Sequence, residues 1–247
     1  LRATASRCAP GAAAGAGSAA PTRRSTTGGG SARGSHPTTG GGGTGGGTTT
    51  VPTATCPGDP VTKLSGEITA DKTLTADKCW LLEGVVYVNA GATLTIEPGT
   101  TIMGDKASLG TLVIKPGAQL IADGSEDLPI VFTSANAPGS RAAGDWGGII
   151  LLGSAPINIP GGKAAVEGIA VSDDTMYGGN KADDNSGTLR HVRIEFGGVQ
   201  LSANNEINGL TLAGVGNKTT IDYVMVHDTL DDCFEFFGGT VNAKHLV

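Results

Sequence analysis

The sequence predicts an all-β solenoid, a parallel β-helix behind an unfolded lead, and three observations carry that expectation. From Val85 onward the chain is a string of short β-rich runs, VVYV, TLTI, TLVI, IVFT, GIILL, HVRIEF, GLTLA and TIDYVMV, punctuated by Gly, Pro, Asn and Asp. No amphipathic run of helical period survives beyond a turn, which argues against helices between the strands and against a βαβ sheet. A strand-plus-turn unit also recurs: LTIEPG at 94–99 is echoed by LVIKPG at 112–117, and IVFT at 130–133 lies 18 residues beyond LVIK.

Composition bounds the alternatives. With 41 glycines in 247 residues and only 4% aromatic residues, the chain is too aromatic-poor for an ordinary enzyme core of mixed helices. At 38% hydrophobic it is too apolar for wholesale disorder. No stretch approaches the roughly 18 consecutive apolar residues of a membrane-spanning helix.

The domain plan divides at residue 55. Residues 1–55 are a low-complexity lead of Ala, Gly, Thr, Ser, Pro and Arg, read as a flexible linker because it cannot bury enough apolar area to offset chain entropy. No signal peptide is visible in it. Cys8 invites a lipid-attachment reading, but Arg7 before it does not suit the small-residue context of such a site. Residues 56–247 form the β-helix domain. Residues 51–247 hold 12 Lys+Arg against 23 Asp+Glu, a net of −11, so nucleic acid and anionic lipid are excluded as partners. Cations and neutral polymers remain. Val247 ends within an apparent strand with no polar cap after it, and the domain is therefore expected to be the N-terminal part of a longer one.

In order along the chain, Cys56 and Cys79 bracket the start of the folded region and can close a loop around its first strand, which favours an oxidising compartment; two unpaired thiols are the alternative. No CxxC pair supports a zinc site. The 18-residue echo is read as one coil, placing Leu94 over Leu112 and Ile96 over Ile114, with Glu97 and Lys115 outside at one corner. Pro98-Gly99 and Pro116-Gly117 then bend the chain at the same place in successive coils. Residues 156–188 interrupt the strands and read as a long loop projecting from one corner. HVRIEFGG and INGLTLAGVG resume the period, with Val192 to Leu210 again 18.

The runs GEITADKTLTADKCWLLEGVVYVNAGATLTIEPGTTI, GDWGGIILLGSAPIN, ADDNSGTLRHVRIEFGG, NEINGLTLAGVG and DDCFEFFGGTVNAKHLV resemble a family of bacterial secreted or outer-surface proteins, often lipoprotein-like. The resemblance covers residues 64–247 and implies a right-handed parallel β-helix outside the cytoplasm. It says little about activity, because fold does not fix function. The family's usual lipoprotein signal is not seen in the lead, which leaves an anchor only upstream of the given chain.

Four polar groups are candidates. Asp173, Asp174, Asp183, Asp184 and Asn185 offer the hard oxygen ligands that Ca²⁺ takes, without a known loop spacing; solvated turn acids are the plainer reading. On one strand, alternation places His191, Arg193 and Glu195 outward and Arg190, Val192, Ile194 and Phe196 inward. Such a row can grip an acidic sugar or form an external salt-bridged ladder. His227, Asp228, Asp231, Asp232 and Glu235 include paired carboxylates, which can divide the acid and base roles of glycoside hydrolysis, although the DDC triplet shares little else with β-helical polygalacturonases. Finally, Tyr177 is a candidate ligand contact, whereas Trp80 and Trp146 suit packing.

Together these predict a non-catalytic extracytoplasmic surface, structural or adhesive β-helix that presents a loop face to polysaccharide or a cell-surface protein, secreted or on the outer membrane. Ca²⁺ is the one cofactor with candidate ligands. The competing class is a Ca²⁺-assisted polysaccharide lyase or glycoside hydrolase of pectate-lyase-like architecture, which needs Arg193 within reach of the Asp183 cluster.

Overall fold

Aliphatic residues at alternate positions of short strands can be buried only if each strand lays its apolar side on the equivalent side of the next coil, and that arrangement organises the molecule. The computed structural model describes residues 6–7, 56, 61–202 and 205–247. One 15-stranded hydrogen-bonded sheet wraps around the domain, and its long-range pairings are parallel throughout residues 62–246. The chain is a parallel β-helix. Ser6–Arg7 adds a short antiparallel pairing to Asp232–Phe237. The linker assigned to residues 1–55, Cys8 included, otherwise lies outside the described residues.

Each coil contributes to three faces. Sheet A takes the first halves of Thr62–Ile68 and Trp80–Val88, then Thr101–Gly104, Ile130–Ser134 and the second halves of Gly187–Glu195 and Thr220–His227. Sheet B takes the second halves of those first two strands, then Thr111–Ile114, Gly148–Leu152, Leu210–Ala213 and Asp232–Phe237. Sheet C takes Lys72–Leu74, Thr93–Ile96, Gln119–Asp123, the first halves of Gly187–Glu195 and Thr220–His227, and Asn242–Leu246. Inward columns such as Val86, Leu112, Ile149 and Leu210 on sheet B are almost fully buried and form one core.

The coil register differs from the sequence expectation. Leu94 lies beside Lys72 and Leu120 on sheet C, while Leu112 lies between Val86 and Ile149 on sheet B. Ile96 pairs with Ala122, and Ile114 with Val88 and Leu151. Likewise Val192 pairs with Ile130 and Val224, not with Leu210. The reason is that each coil has three strands: a step of 18 residues moves two strands along the chain, onto a neighbouring face. Gly99 and Gly117, at φ 80° and 84°, therefore turn two different corners, C to A and B to C. Both turns use the same proline–glycine chemistry, which explains the echo.

Glu97 and Lys115 are accordingly not a pair. Glu97 accepts a hydrogen bond from the Ala76 amide, whereas Lys115 is only 4% exposed. The segment after Gly148–Leu152 does not project. It folds back over the outer side of sheet B, where Val166, Tyr177 and Ile157 join Val113, Ile150, Leu152 and Ala213 in a second apolar cluster, completed by Val199 and Ile207.

Two local devices fix the frame. In GDWGG, the buried Asp145 carboxylate accepts from Lys106 Nζ at 2.8 Å, Ser134 Oγ at 2.7 Å and Asn136 Nδ2 at 2.8 Å, and so holds the loop between Ile130–Ser134 and Gly148–Leu152. Trp146 then enters the core, stacks on Phe132 with centroids 6.4 Å apart, and donates Nε1–H to the Glu195 carbonyl at 2.8 Å. It fits because residue 104 is glycine: a Cβ there would lie 2.4 Å from Trp146 Cβ.

Cys56 and Cys79 form a disulfide across a sequence separation of 23. A closed loop of this length restricts the unfolded chain by about 3 kcal/mol. The double variant Cys56→Ser/Cys79→Ser is therefore expected to lose about 2–4 kcal/mol in urea unfolding, and unchanged stability would show that the bridge does not constrain the first coil.

Candidate functional site

The outward side of sheet A gathers residues that sequence reading had placed in two separate groups. Gly187–Glu195 turns the corner from sheet C to sheet A at His191, whose φ of 48° resets the alternation. Arg190 therefore points outward on sheet C, where it meets Asp123 at 3.3 Å, rather than into the core. Arg193 and Glu195 point outward on sheet A, and Glu195 faces His227 of the next coil. Of the predicted exposed row, His191 and Arg193 are half-buried, while Glu195 is buried, at 4% accessible.

Its carboxylate is fully engaged. Arg193 approaches Oε1 with Nη2 at 2.7 Å and Nε at 3.0 Å, and Thr133 Oγ1 donates to Oε2 at 3.0 Å. His227 Nε2 stands 3.5 Å from Oε1, and Nδ1 lies 3.1 Å from Asp228. Arg141 reaches over from the loop to Thr133 at 3.2 Å. Burial pushes the Glu195 pKa up, but His227, Arg193 and Thr133 more than offset this and hold it below the ordinary value. The Glu195 carboxylate raises the His227 pKa, against burial and with help from Asp228. The Glu195 carboxylate is thus enclosed in an ion network with Arg193 and His227, at whose outer edge His227 and Asp228 remain about a third exposed.

Asp231 lies in the bend before Asp232–Phe237, and Glu235 points outward on sheet B, where Asn208 Nδ2 donates to it at 2.5 Å. Tyr177 is not a surface contact either. Its ring is 2% exposed and packs 6.1 Å from Phe237 in the second cluster, and burial raises its pKa.

The five proposed Ca²⁺ ligands do not converge. Asp173 and Asp174 sit on a three-residue 3₁₀ turn, Asp173–Thr175, and Asp174 Oδ2 meets Lys115 Nζ at 2.5 Å. Asp183 pairs with Lys218 at 2.8 Å, Asp184 is half-buried with its pKa raised by burial, and Asn185 accepts from the Gly187 amide at 2.9 Å. Among the described residues no group of three or more His, Cys, Asp or Glu side chains is disposed to hold a metal ion. At Asp174 the cation is the protein's own lysine.

Lys115 and two other features had no clear signal in the sequence. Lys115 Nζ also reaches Glu67 Oε1 at 3.3 Å and lies 4.9 Å from the Tyr87 ring centroid. Burial lowers its pKa, and the hydrogen bonds to Asp174 and Glu67 outweigh that, leaving it raised. At the corner between sheets C and A, His191, Tyr223 and His245 all adopt positive φ and stack, with centroids 4.8 and 4.2 Å apart. Between that corner and the next lies the outer side of sheet C, where Thr73, Thr95, Ile121, Thr188, Thr220 and Asn242 stand over one another. Asp123, Arg190, Asp222 and Lys244 form a second row of alternating sign beside it. These rows are exposed or half-exposed.

A three-faced parallel solenoid with one face sheathed by its own chain and another left open belongs to the β-helix class. Residues 66–247 match the pectate-lyase-like β-helix domain family, and the chain belongs to that family. No curated protein and no solved structure matches it. No helix among the described residues is long and apolar enough to cross a membrane.

Proposed function

We propose that this domain is a non-catalytic extracytoplasmic surface protein of structural or adhesive type, which takes an extended neutral polysaccharide along the outer side of sheet C. The observation that carries this reading is the pair of uncovered rows, the hydroxyl-rich one and the charge-alternating one. Strands stacked about 4.8 Å apart carry a threonine hydroxyl at four of the six positions of the first row, with Ile121 and Asn242 at the others, a spacing suited to a polymer with a regular repeat. The alternating charges cancel locally, and the acidic body disfavours polyanions. The Cys56–Cys79 disulfide accords with an oxidising compartment.

Two further observations weigh against the lyase or hydrolase reading. Arg193 is committed to Glu195 on sheet A, while Asp183 is committed to Lys218 near the B-to-C corner. The outer side of sheet B is filled by apolar packing.

The test is affinity electrophoresis against neutral and acidic glycans, with an assay for new reducing ends and unsaturated products. The protein is expected to be retarded by at least one neutral glycan without cleaving it. The variant Thr95→Arg/Thr188→Arg/Thr220→Arg is expected to lose at least tenfold in affinity, about 1.4 kcal/mol, while melting like the parent. Turnover of any glycan, or retardation unaffected by the triple variant, would overturn the reading.

A further inference from the structure

Along the outer side of sheet C the charged row changes sign at every coil: Asp123 is negative, Arg190 positive, Asp222 negative and Lys244 positive. Read in the opposite direction, the same row has every sign inverted. A two-fold axis lying in the face, parallel to the strands and between Arg190 and Asp222, would therefore set Asp123 of one copy against Lys244 of another, and Arg190 against Asp222. We propose that this face is a self-association surface, on which a second copy of the chain seats with the two solenoid axes antiparallel. The proposal goes beyond the polymer reading and stands without it; glycan and second copy compete for one face.

Charge selects this arrangement among the face-to-face pairs that two-fold symmetry allows. An axis running along the solenoid would lay each row on itself in the same order, acid on acid and base on base, which suppresses that pairing. The axis parallel to the strands makes all the contacts of the row attractive. Its members are placed to use it. Asp123 and Arg190 are nearly half exposed, at 45% and 44%, and approach each other through one guanidinium nitrogen at 3.3 Å, so Arg190 has donors to spare. Lys244 is exposed and holds no ion pair among the described residues. His245 Nδ1, 2.7 Å away, orients the Asp222 carboxylate. Glu97, which accepts from the Ala76 amide, falls outside the four pairs.

The neighbouring columns agree with this register. Thr188 of one copy comes over Thr220 of the other at the axis, where each hydroxyl can donate or accept, and Ile121 comes over Asn242. At the aromatic corner Gly124 stands beside His191 in the preceding coil, its amide bonded to the Arg190 carbonyl. His245 of the second copy comes over this residue without a side chain, and Tyr223, 47% exposed, comes over His191. Tyrosine is among the residues that protein interfaces enrich. Six short strands make a small face, which places the dimer among weak and transient associations.

The experiment is sedimentation velocity on the whole chain, without glycan, from about 5 to 500 μM. The parent is expected to dimerise with Kd on the order of 100 μM, as suits a small interface. Asp123→Lys/Asp222→Lys makes the row wholly positive, and Arg190→Glu/Lys244→Glu makes it wholly negative. Each variant alone is expected to associate at least tenfold more weakly than the parent. An equimolar mixture of the two is expected to form a heterodimer, a recovery that loss of fold cannot imitate. Thr188→Arg, which sets like charges near the axis, is expected to weaken dimerisation at least tenfold and keeps the test decisive if a charge variant fails to fold, as melting temperatures would show. A parent monomeric throughout, dimerisation unchanged in a folded charge variant or in Thr188→Arg, or a mixture of folded charge variants that stays monomeric would overturn the proposal. Because no glycan is present, none of these results bears on the polymer reading.

Discussion

Trp146→Ala is expected to lower unfolding stability by about 3–5 kcal/mol, the usual range for truncating a fully buried tryptophan. The loss has two sources. The indole leaves a void beside Phe132, and the Glu195 carbonyl loses its N–H donor. Urea denaturation followed by far-UV circular dichroism measures the effect. A loss below about 1 kcal/mol would mean that the coils collapse around the vacancy, and that the tryptophan does not organise the GDWGG loop.

Glu195→Gln is expected to cost about 3–5 kcal/mol near pH 6, because it leaves the buried side of Arg193 without its counter-charge. It should also flatten the pH profile. The folded-state pKa of His227 is raised above its ordinary 6.5, so its contribution is fully present below pH 6.5 and is lost as pH rises through the folded value. The Glu195 pKa is lowered from its ordinary 4.5, so its contribution is present above pH 4.5 and is lost as pH falls through the folded value. The parent is thus expected to gain most from this network between about pH 4.5 and 6.5. Denaturation midpoints from pH 4 to 9 test this: parent and variant curves that stay parallel would disprove the coupling between His227 and Glu195.

The fold was legible because burying so many alternating aliphatic residues on short strands leaves few alternatives to stacked coils. Register was not legible, because coils vary in length while corners share one chemistry. Trp80 to Ile102 is 22 residues, Ile102 to Phe132 is 30 and Phe132 to Ile194 is 62, so no fixed period finds the neighbours. The ion network illustrates the cost. Arg193 and Glu195 were visible as a row, and His227 and Asp228 as a separate group, but their meeting depends on a 32-residue coil that pairs Glu195 with His227. Alternation also failed at His191, since a single residue of positive φ turns the corner and shifts the phase. Lys115 could not have been placed as buried without knowing that a distant segment would return to cover its side of the sheet.

That returning segment alters how the rod resists force and heat. Ordinary solenoids are quasi-one-dimensional, each turn holding only its neighbours, and they can fray from an end. Here a lateral patch grips residues from Val85 to Phe237 at once, through Ile157, Val166 and Tyr177. Turns far apart along the axis therefore share a fate: like a splint bound along a stack of rings, the patch makes loosening any one of them strain the rest.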